Sequence, residues 1–316
     1  MKLVFCGTPQ FAVPTLLALI DAGHEIALVL TQPDRPSGRG MQLVASPVKQ
    51  MAEAAGLEIL QPEKIKNNDD LRTRLIAIAP DAIVVVAYGR IIPKWMLDLP
   101  RFGNINLHGS LLPKYRGAAP IQWAIARGET ITGVTTMRLD ERLDTGDMLL
   151  QREVPIGSAE TTEDLYPKLS QIGAEMMVQT LAGIANGSIT PEKQEARAAS
   201  LAPILTREDG LIDFTLTAKE IYDRWRGFQP WPGAWTTLKG LKLTVWRMRV
   251  VPEAISDPSS PEPPGEIRTY AGKVFVACEE GTWIELLEVQ LEGRKRLPVA
   301  EFLNGYHLKS GDRLGS

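Results

Sequence analysis

Residues 82–126 read AIVVVAYGRIIPKWMLDLPRFGNINLHGSLLPKYRGAAPIQWAIA, and the order of elements in this stretch decides the fold. Residues 82–87 hold four Ile or Val without polar alternation, which predicts a strand buried on both faces. A second strand is expected near residues 104–107, and a helix at about 118–126. Toward the N-terminus, the apolar run at residues 2–6 is stopped by Gly7-Thr8-Pro9, and Phe11, Leu16, Leu19 and Ile20 follow at helical spacing. Residues 25–30 read as the next strand. Ser46-Pro47 reads as an N-cap with Pro at N1, opening a helix that runs through Ala55. A strand at 57–60 and a helix at 69–79 complete that half. Toward the C-terminus come strands at 132–139 and 148–154, then Leu165, Leu169, Ile172, Met176, Leu181 and Ile184 on one face of a long helix, with Pro167 obscuring its start. Strands alternating with helices predict an α/β unit, a doubly wound, mostly parallel sheet covered by helices.

A chain of 316 residues suits two hydrophobic cores better than one. The texture changes after Asn186 to GSITPEKQEARAASLAPILT, polar and Ala-rich, so the expected division is an α/β domain over residues 1–187, a linker over 188–206 and a second domain over 207–316. The second domain holds short β-like pieces at 234–237, 241–251, 265–270, 273–278 and 281–290, separated by Gly-containing turns and the Pro-rich loop 252–265. Short strands with few helices point to a small five-stranded barrel of the oligonucleotide-binding type. In 241–251, Leu241, Leu243 and Val245 share one phase, and Trp246, Met248 and Val250 the other; a bulge near Val245 and Trp246 reconciles them. Arg247 and Arg249 then point out of the barrel together, and Arg294, Lys295 and Arg296 follow in a later loop. Both groups read either as solvated surface charge or as an RNA contact.

Thirty-five Lys and Arg against 38 Asp and Glu give a net charge of -3, so no global basic field draws nucleic acid, and any RNA contact must be local. Residues 206–316 carry 15 basic and 16 acidic side chains, which leaves the two halves equally near neutral. Two cysteines, Cys6 and Cys278, fit a reducing compartment. The start MKLVFCGTPQ lacks the shape of a secretory or transit leader, and no apolar run is long enough to span a bilayer, so a cytoplasmic location without membrane partners is expected. Gly7-Thr8-Pro9 lacks the further glycines of a dinucleotide fingerprint, and no phosphate-binding GxxxxGK[ST] occurs. His24, His108 and His307 are too scattered for a zinc site, so no metal is expected.

Asn106 and His108 lie two residues apart on one face of a strand end, before a loop containing Gly109, Pro113 and Gly117. Ligands of open α/β sheets sit beyond such ends. Residues 139–149, LDERLDTGDML, offer Asp144 followed by Thr145-Gly146, a glycine read as permitting the turn that returns the carboxylate over the sheet, where it would orient the imidazole and favour its protonated form. Asn, His and Asp without a Ser or Cys nucleophile point to direct acyl transfer: an amide for the oxyanion, an imidazole for the proton, and an acceptor such as an amine that brings its own nucleophile.

GTPQFAVP at residues 7–14, TQPDRPSGRG at 31–40, the NxHxSLLPxxRGAAP set at 106–120, LDTGD at 143–147 and EFLNG at 301–305 together resemble the methionyl-tRNA formyltransferase family over essentially the whole chain. The resemblance implies formyl transfer from 10-formyltetrahydrofolate to the α-amine of methionine on initiator tRNA, with Asn106, His108 and Asp144 as the catalytic trio. It further implies that Ser110, Leu111, Leu112 and Pro113 bind the folate, with Val86, Tyr88 and Ile91 at a strand end lining the pterin pocket. The loop 33–40, with Arg35 and Arg39, would reach the tRNA acceptor end, and Arg247, Arg249, Arg294, Lys295 and Arg296 on the barrel would hold the tRNA body. Met41 and Gln42 stand where relatives often have lysines. The family is generally monomeric and does not act on DNA. A formyltransferase acting on a small amine such as glycinamide ribonucleotide or an amino sugar is the nearest alternative, and a non-catalytic RNA-binding protein is the alternative from another class.

Overall fold

The computed structural model describes residues 1–37, 42–252 and 262–315. The chain forms two compact units, the first from Met1–Pro120, Ile131–Pro155 and Asp164–Pro203, the second from Ile121–Thr130, Ile156–Glu163 and Ile204–Ser316.

In the first unit, strands β1 (Lys2–Gly7), β2 (Glu25–Leu30), β3 (Arg35–Ser37), β4 (Gln42–Val44), β5 (Ile59–Leu60), β6 (Ala82–Val86), β7 (Asn104–His108), β8 (Ile131–Arg138) and β9 (Met148–Pro155) alternate with helices α1 (Val13–Asp21), α2 (Pro47–Ala54), α3 (Asp69–Ile78) and α4 (Lys94–Leu97); of the next two helices, α5 (Pro120–Ala126) belongs to the second unit from Ile121 on and α6 (Thr162–Asn186) to the first from Asp164 on. The seven-stranded sheet runs β5-β2-β1-β6-β7-β8-β9, parallel from β5 to β7 and antiparallel at β8, while β3 and β4 form a separate ribbon. All five residues of β6 are buried, as its unbroken apolar run requires. Chain order reverses between β1 and β6, and β7 lies next to β6, so the Asn106–His108 strand end opens beside a topological switch point.

Local chemistry explains the helix starts. The Ser46 hydroxyl accepts from the Lys49 N–H at 3.1 Å with Pro47 at the first position, and the Asn68 side chain accepts from the Leu71 N–H at 2.9 Å. α6 begins at Thr162, upstream of Pro167. Pro167 sits early in a 25-residue helix, where one missing N–H is a small part of the ladder. The segment 188–206, read from its composition as a linker, runs with the first unit as far as Pro203.

The second unit is built on an antiparallel sheet of β10 (Trp235–Leu238), β11 (Leu241–Val250), β12 (Ile267–Tyr270), β13 (Lys273–Ala277), β14 (Trp283–Leu291) and β15 (Arg296–Pro298), ordered β10-β11-β14-β13-β12 with β15 beside β14. Lys239-Gly240 and Ala271-Gly272, all at positive φ, make the two-residue turns that match strand twist. The register of β11 on β14 skips between Val245 and Arg247, leaving Leu243, Val245 and Met248 buried and Arg247 and Arg249 exposed, as a bulge at Trp246 predicts. Three elements go beyond the sequence expectation. Helix α7 (Ala218–Gly227) starts at a reciprocal cap, with the Thr217 hydroxyl near the Glu220 N–H at 3.3 Å and the Glu220 carboxylate accepting from the Thr217 N–H at 2.9 Å. Arg296, expected in a loop, belongs to the short edge strand β15, with α8 (Val299–Gly305) following.

Cys6 and Cys278 are buried, and burial raises both thiol pKa values, that of Cys278 up to about 12. Both thiols are therefore protonated at neutral pH, whereas the thiolate is the nucleophile. Iodoacetamide at pH 7.5 is expected to leave both unmodified in the native protein and to label both after denaturation. Native labelling of either would show that the backbone around it opens on the labelling timescale.

Candidate active site

The strand β7 sorts its side chains by alternation. Asn104, Asn106 and His108 share one face, and Leu107 turns to the other, where a β-carbon on Gly173 of α6 would lie 2.5 Å from Leu107 Cδ2. Gly173 thus lets the long helix lie against the sheet. Asn104 anchors the strand, its Nδ2 donating to the Met96 and Leu97 carbonyls at 3.0 and 3.1 Å at the end of α4. Asn106 is 8% exposed, and its side-chain amide has no hydrogen-bond partner among the described residues. Its donors are therefore free for a ligand.

His108 is 6% exposed, and its Nε2–H donates to the Tyr115 carbonyl at 2.8 Å. A carbonyl only accepts, so Nδ1 is the basic nitrogen, and it faces Asp144 Oδ2 at 3.8 Å. That separation is an ion contact for an imidazolium, not a hydrogen bond. The carboxylate's own hydrogen bond comes from the Gly117 N–H, 2.8 Å from Oδ2. The Tyr115 carbonyl thus holds the ring through Nε2, and Asp144 stands at ion-contact distance from Nδ1 without a hydrogen bond to it. Tyr115 and Asp144 both have left-handed backbones, at φ 62° and 51°. Each costs roughly 1–2 kcal/mol for an L-residue and must be held by its surroundings. The role given to Gly146 changes. It is not at positive φ; a β-carbon there would fall 1.8 Å from the Arg138 carbonyl oxygen, so the glycine permits close approach.

The loop between β7 and α5 is braced from within. Ser110 is fully buried and its hydroxyl donates to the Lys114 carbonyl at 2.7 Å. Thr135 Oγ1 donates to the Ser110 carbonyl at 2.6 Å and accepts from the Leu112 N–H at 3.1 Å, while Gln151 Nε2 donates to the Leu112 carbonyl at 2.7 Å. Ser110 therefore shapes the loop and is not free as a nucleophile. Leu112 is buried with it, and Leu111 and Pro113 are half-buried.

At the end of β6 Val86 is buried, and beyond it Tyr88 is buried and Ile91 is 89% exposed. The turn is lashed to its neighbours: Thr8 Oγ1 and Gln32 Nε2 both donate to the Tyr88 carbonyl at 3.1 Å, and Gln32 Nε2 also to that of Gly89 at 3.1 Å. The 7–14 and 31–40 motifs thus fix this strand end. The Tyr88 hydroxyl and Arg90 Nε and Nη2 are buried without hydrogen-bond partners among the described residues. Such orphan donors are costly unless a polar ligand meets them, so the strand end fits a ligand rich in acceptors.

A family model described as formyl transferase matches residues 1–181, and one described as formyl transferase, C-terminal domain, matches residues 204–307. A methionyl-tRNA formyltransferase of Acidobacterium capsulatum is 65% identical over 316 residues, all of both chains, and one of Koribacter versatilis is 56% identical over 315 residues, all of this chain and 99% of that one. The chain belongs to the methionyl-tRNA formyltransferase family. Among solved structures, an N-formyltransferase from Helicobacter canadensis in complex with folinic acid and dTDP-3-aminofucose has a TM-score of 0.65 at 18% identity, covering 90% of this chain and 98% of that one. The sugar 3N-formyltransferase WlaRD, in the presence of dTDP and 5-N-formyl-THF, has a TM-score of 0.65 at 19% identity, covering 93% and 99%. At that identity these two share the fold.

The basic residues picked out for a methionyl-tRNA formyltransferase fall into three groups. Arg35 is exposed on the β3–β4 ribbon beside exposed Leu43 and Val44, and Arg39 lies outside the described residues. Arg249 pairs with Glu285 at 2.5 Å; Arg296 pairs with Glu288 at 2.6 Å and lies over the Trp246 ring, so both are partly committed to the barrel. Arg247, Arg294 and Lys295 have no ion-pair partner among the described residues. Sequence reasoning missed the Tyr115 carbonyl, the Gly117 N–H and the braces Thr8 and Gln32. The first two are backbone groups and leave no mark on the sequence. Among the described residues no helix is long and apolar enough to cross a membrane.

Proposed function

We propose that the chain transfers the formyl group of 10-formyltetrahydrofolate to the α-amine of methionine esterified to initiator tRNA, giving N-formylmethionyl-tRNA and tetrahydrofolate, as a cytoplasmic monomer. The full-length 65% identity to a methionyl-tRNA formyltransferase carries this reading. The site geometry supports it: an unpartnered amide, an imidazole and a carboxylate meet at a strand end, and Ser110, Cys6 and Cys278 are unavailable as nucleophiles. The neutral methionyl amine attacks the formyl carbon, and the Asn106 amide donates to the oxyanion as it forms. His108 Nδ1 takes the proton released from the amine, and the imidazolium formed faces Asp144. As the intermediate collapses, the bond from carbon to the folate nitrogen breaks and that nitrogen takes the proton back from His108.

The folate would be held by the half-buried Leu111 and Pro113, by exposed Ile91, and by the orphan donors of Tyr88 and Arg90, with Val86, Ser110 and Leu112 shaping the walls. Residues 1–187 would form the catalytic domain and residues 207–316 the tRNA-holding domain. Incubating the protein and formyl donor with charged initiator tRNA, free methionine, glycinamide ribonucleotide or an amino sugar tests the reading. Formylation of the aminoacyl-tRNA alone is expected, and faster transfer to any small amine would overturn it.

Recognition would divide between the segment 33–40 with Arg35 and Arg39, at the acceptor end, and the basic side chains of the barrel, on the phosphate backbone. Arg294 and Lys295 are the cleaner probes, because removing Arg296 also breaks its pairing with Glu288. Taking one basic side chain away from a phosphate lowers the salt slope of binding by about 0.7 to 0.9. Arg294→Ala/Lys295→Ala is expected to weaken tRNA binding and flatten its salt dependence while the saturated rate stays intact. Arg39→Ala should instead slow single-turnover formylation with tRNA saturating. Identical binding at several salt concentrations would return Arg294 and Lys295 to ordinary surface charge.

A further inference from the structure

The polar stretch after α6 does more than connect. Glu192 exchanges both backbone hydrogen bonds with Met148, at 2.8 and 2.9 Å, which sets the strap at the foot of β9 just past the Asp144 loop. Two residues on, the Gln194 side chain makes four hydrogen bonds to nitrogen and oxygen atoms, besides a long Nε2 contact with Met137 Sδ at 3.9 Å. Its Oε1 accepts from Arg116 Nε at 3.0 Å and Nη2 at 2.7 Å, and its Nε2 donates to the carbonyls of Asp144 and Gly146, each at 2.8 Å. An amide has two donors and two acceptor sites, so all its capacity joins these two loops. Further on, the Ser200 hydroxyl accepts from the Tyr115 N–H at 2.9 Å and its carbonyl from the Arg116 N–H at 2.8 Å, while Ala202 N–H donates to the Arg116 carbonyl at 2.7 Å.

Each of these bonds lies one step from the site. Tyr115 holds His108, Arg116 is the next residue, and Asp144 presents the charge. Tyr115 and Asp144, on either side of the imidazole, are both non-glycine residues with left-handed backbones, and neither conformation is self-sustaining. Gln194 touches no reacting atom. It ties the loop that aims the imidazole to the loop that carries the carboxylate.

We propose that Gln194 is a positioning residue for formyl transfer, whose side-chain amide brackets the Arg116 and Asp144 loops and thereby sets the spacing of His108 and Asp144. This rests on reading Asn106, His108 and Asp144 as the catalytic set. Gln194→Glu keeps the volume and the acceptor toward Arg116 but turns both donations into repulsion between carboxylate and carbonyl oxygens. Gln194→Ala removes all four bonds; Gln194→Met, which keeps the volume without donor or acceptor, takes its place if the alanine variant does not fold.

The experiment measures steady-state and single-turnover formylation by the full-length protein with charged initiator tRNA and formyl donor, beside Asp144→Asn and His108→Ala. Misplacing reacting groups by about 1 Å costs about 100-fold. Gln194→Glu and Gln194→Ala are expected to lower kcat by about 10- to 100-fold, with both KM values within about twofold of wild type. The Asp144→Asn/Gln194→Glu double variant is expected within about twofold of Asp144→Asn alone, because the bracket acts through the carboxylate it positions. A purely structural Gln194 would move the melting temperature or KM and leave those losses multiplicative. Wild-type kcat in the Gln194 variants beside a slow Asp144→Asn, or losses that multiply, overturn the bracket alone. Wild-type rates in Asp144→Asn and His108→Ala would overturn the catalytic reading, and the bracket with it.

Discussion

Replacing His108 with alanine is expected to lower the single-turnover rate of formyl transfer by about 100- to 10,000-fold, the range for a general acid–base group, with formyl-donor affinity unchanged. The expectation follows from what each ring nitrogen does. Nε2 is committed to the Tyr115 carbonyl and Nδ1 is left to accept a proton beside Asp144. Donor binding is assigned to the β6 end and the loop after β7, which the imidazole does not provide. Removing the ring leaves a cavity and a carbonyl without its donor, so thermal unfolding is followed in parallel to separate loss of chemistry from loss of the loop. Equilibrium folate binding with rapid-quench single turnovers decides the matter, and an unaltered chemical step would remove His108 from the mechanism.

The second large effect is expected at Asn106. Loss of one oxyanion donor costs about 3 to 4 kcal/mol in the transition state, or roughly 100- to 1,000-fold in kcat. Its amide has no partner within the described protein, so Asn106→Ala strands no buried group, and the melting temperature should scarcely move. Asn106→Asp should be slower still, because a carboxylate then faces the developing negative charge. Asn104 on the same face supplies the contrast. Its two bonds to α4 carbonyls make Asn104→Ala a stability variant, destabilised by about 1–3 kcal/mol with kcat retained. If Asn106→Ala raised only KM, the residue would be a substrate-positioning group and no oxyanion donor.

The sequence was readable wherever one side chain or one periodicity governs the backbone. Residues 82–86 announce a doubly buried strand, Ser46-Pro47 a helix start, and the phase change in β11 a bulge. Asn106 and His108 share a face because strand alternation allows nothing else. Legibility ends where the determinant is a backbone group or a close approach. The Tyr115 carbonyl and the Gly117 N–H have no letter of their own, and Gly146 looks like a turn glycine although it serves the approach to Arg138. Helix α7 was hidden by its charges, since Lys219, Glu220, Asp223, Arg224 and Arg226 read as a polar surface; yet Asp223 and Arg226 are buried as an ion pair at 2.6 Å. The strap through Gln194 and Ser200 was read as a linker because isolated hydrogen bonds at irregular spacing leave no period to detect.

The second unit gathers three separate stretches of chain. Arg226, 4% exposed, donates to the carbonyls of Gly157 and Glu160 at 3.2 and 2.7 Å, and Trp123 meets the Phe228 ring edge-on at 5.3 Å. A fragment cut at residue 204 would carry a buried guanidinium stripped of two acceptors and an aromatic face without its cover. It is therefore poorly suited to being expressed alone. The same arrangement bears on synthesis. Residues 121–130 and 156–163 leave the ribosome before the α7 residues they pack against, and at about 5–20 residues per second they wait several seconds for those partners. For that interval the nascent chain lacks the Arg226 donors to the Gly157 and Glu160 carbonyls and the Phe228 ring that Trp123 packs against, so this part of the second unit closes only when α7 arrives.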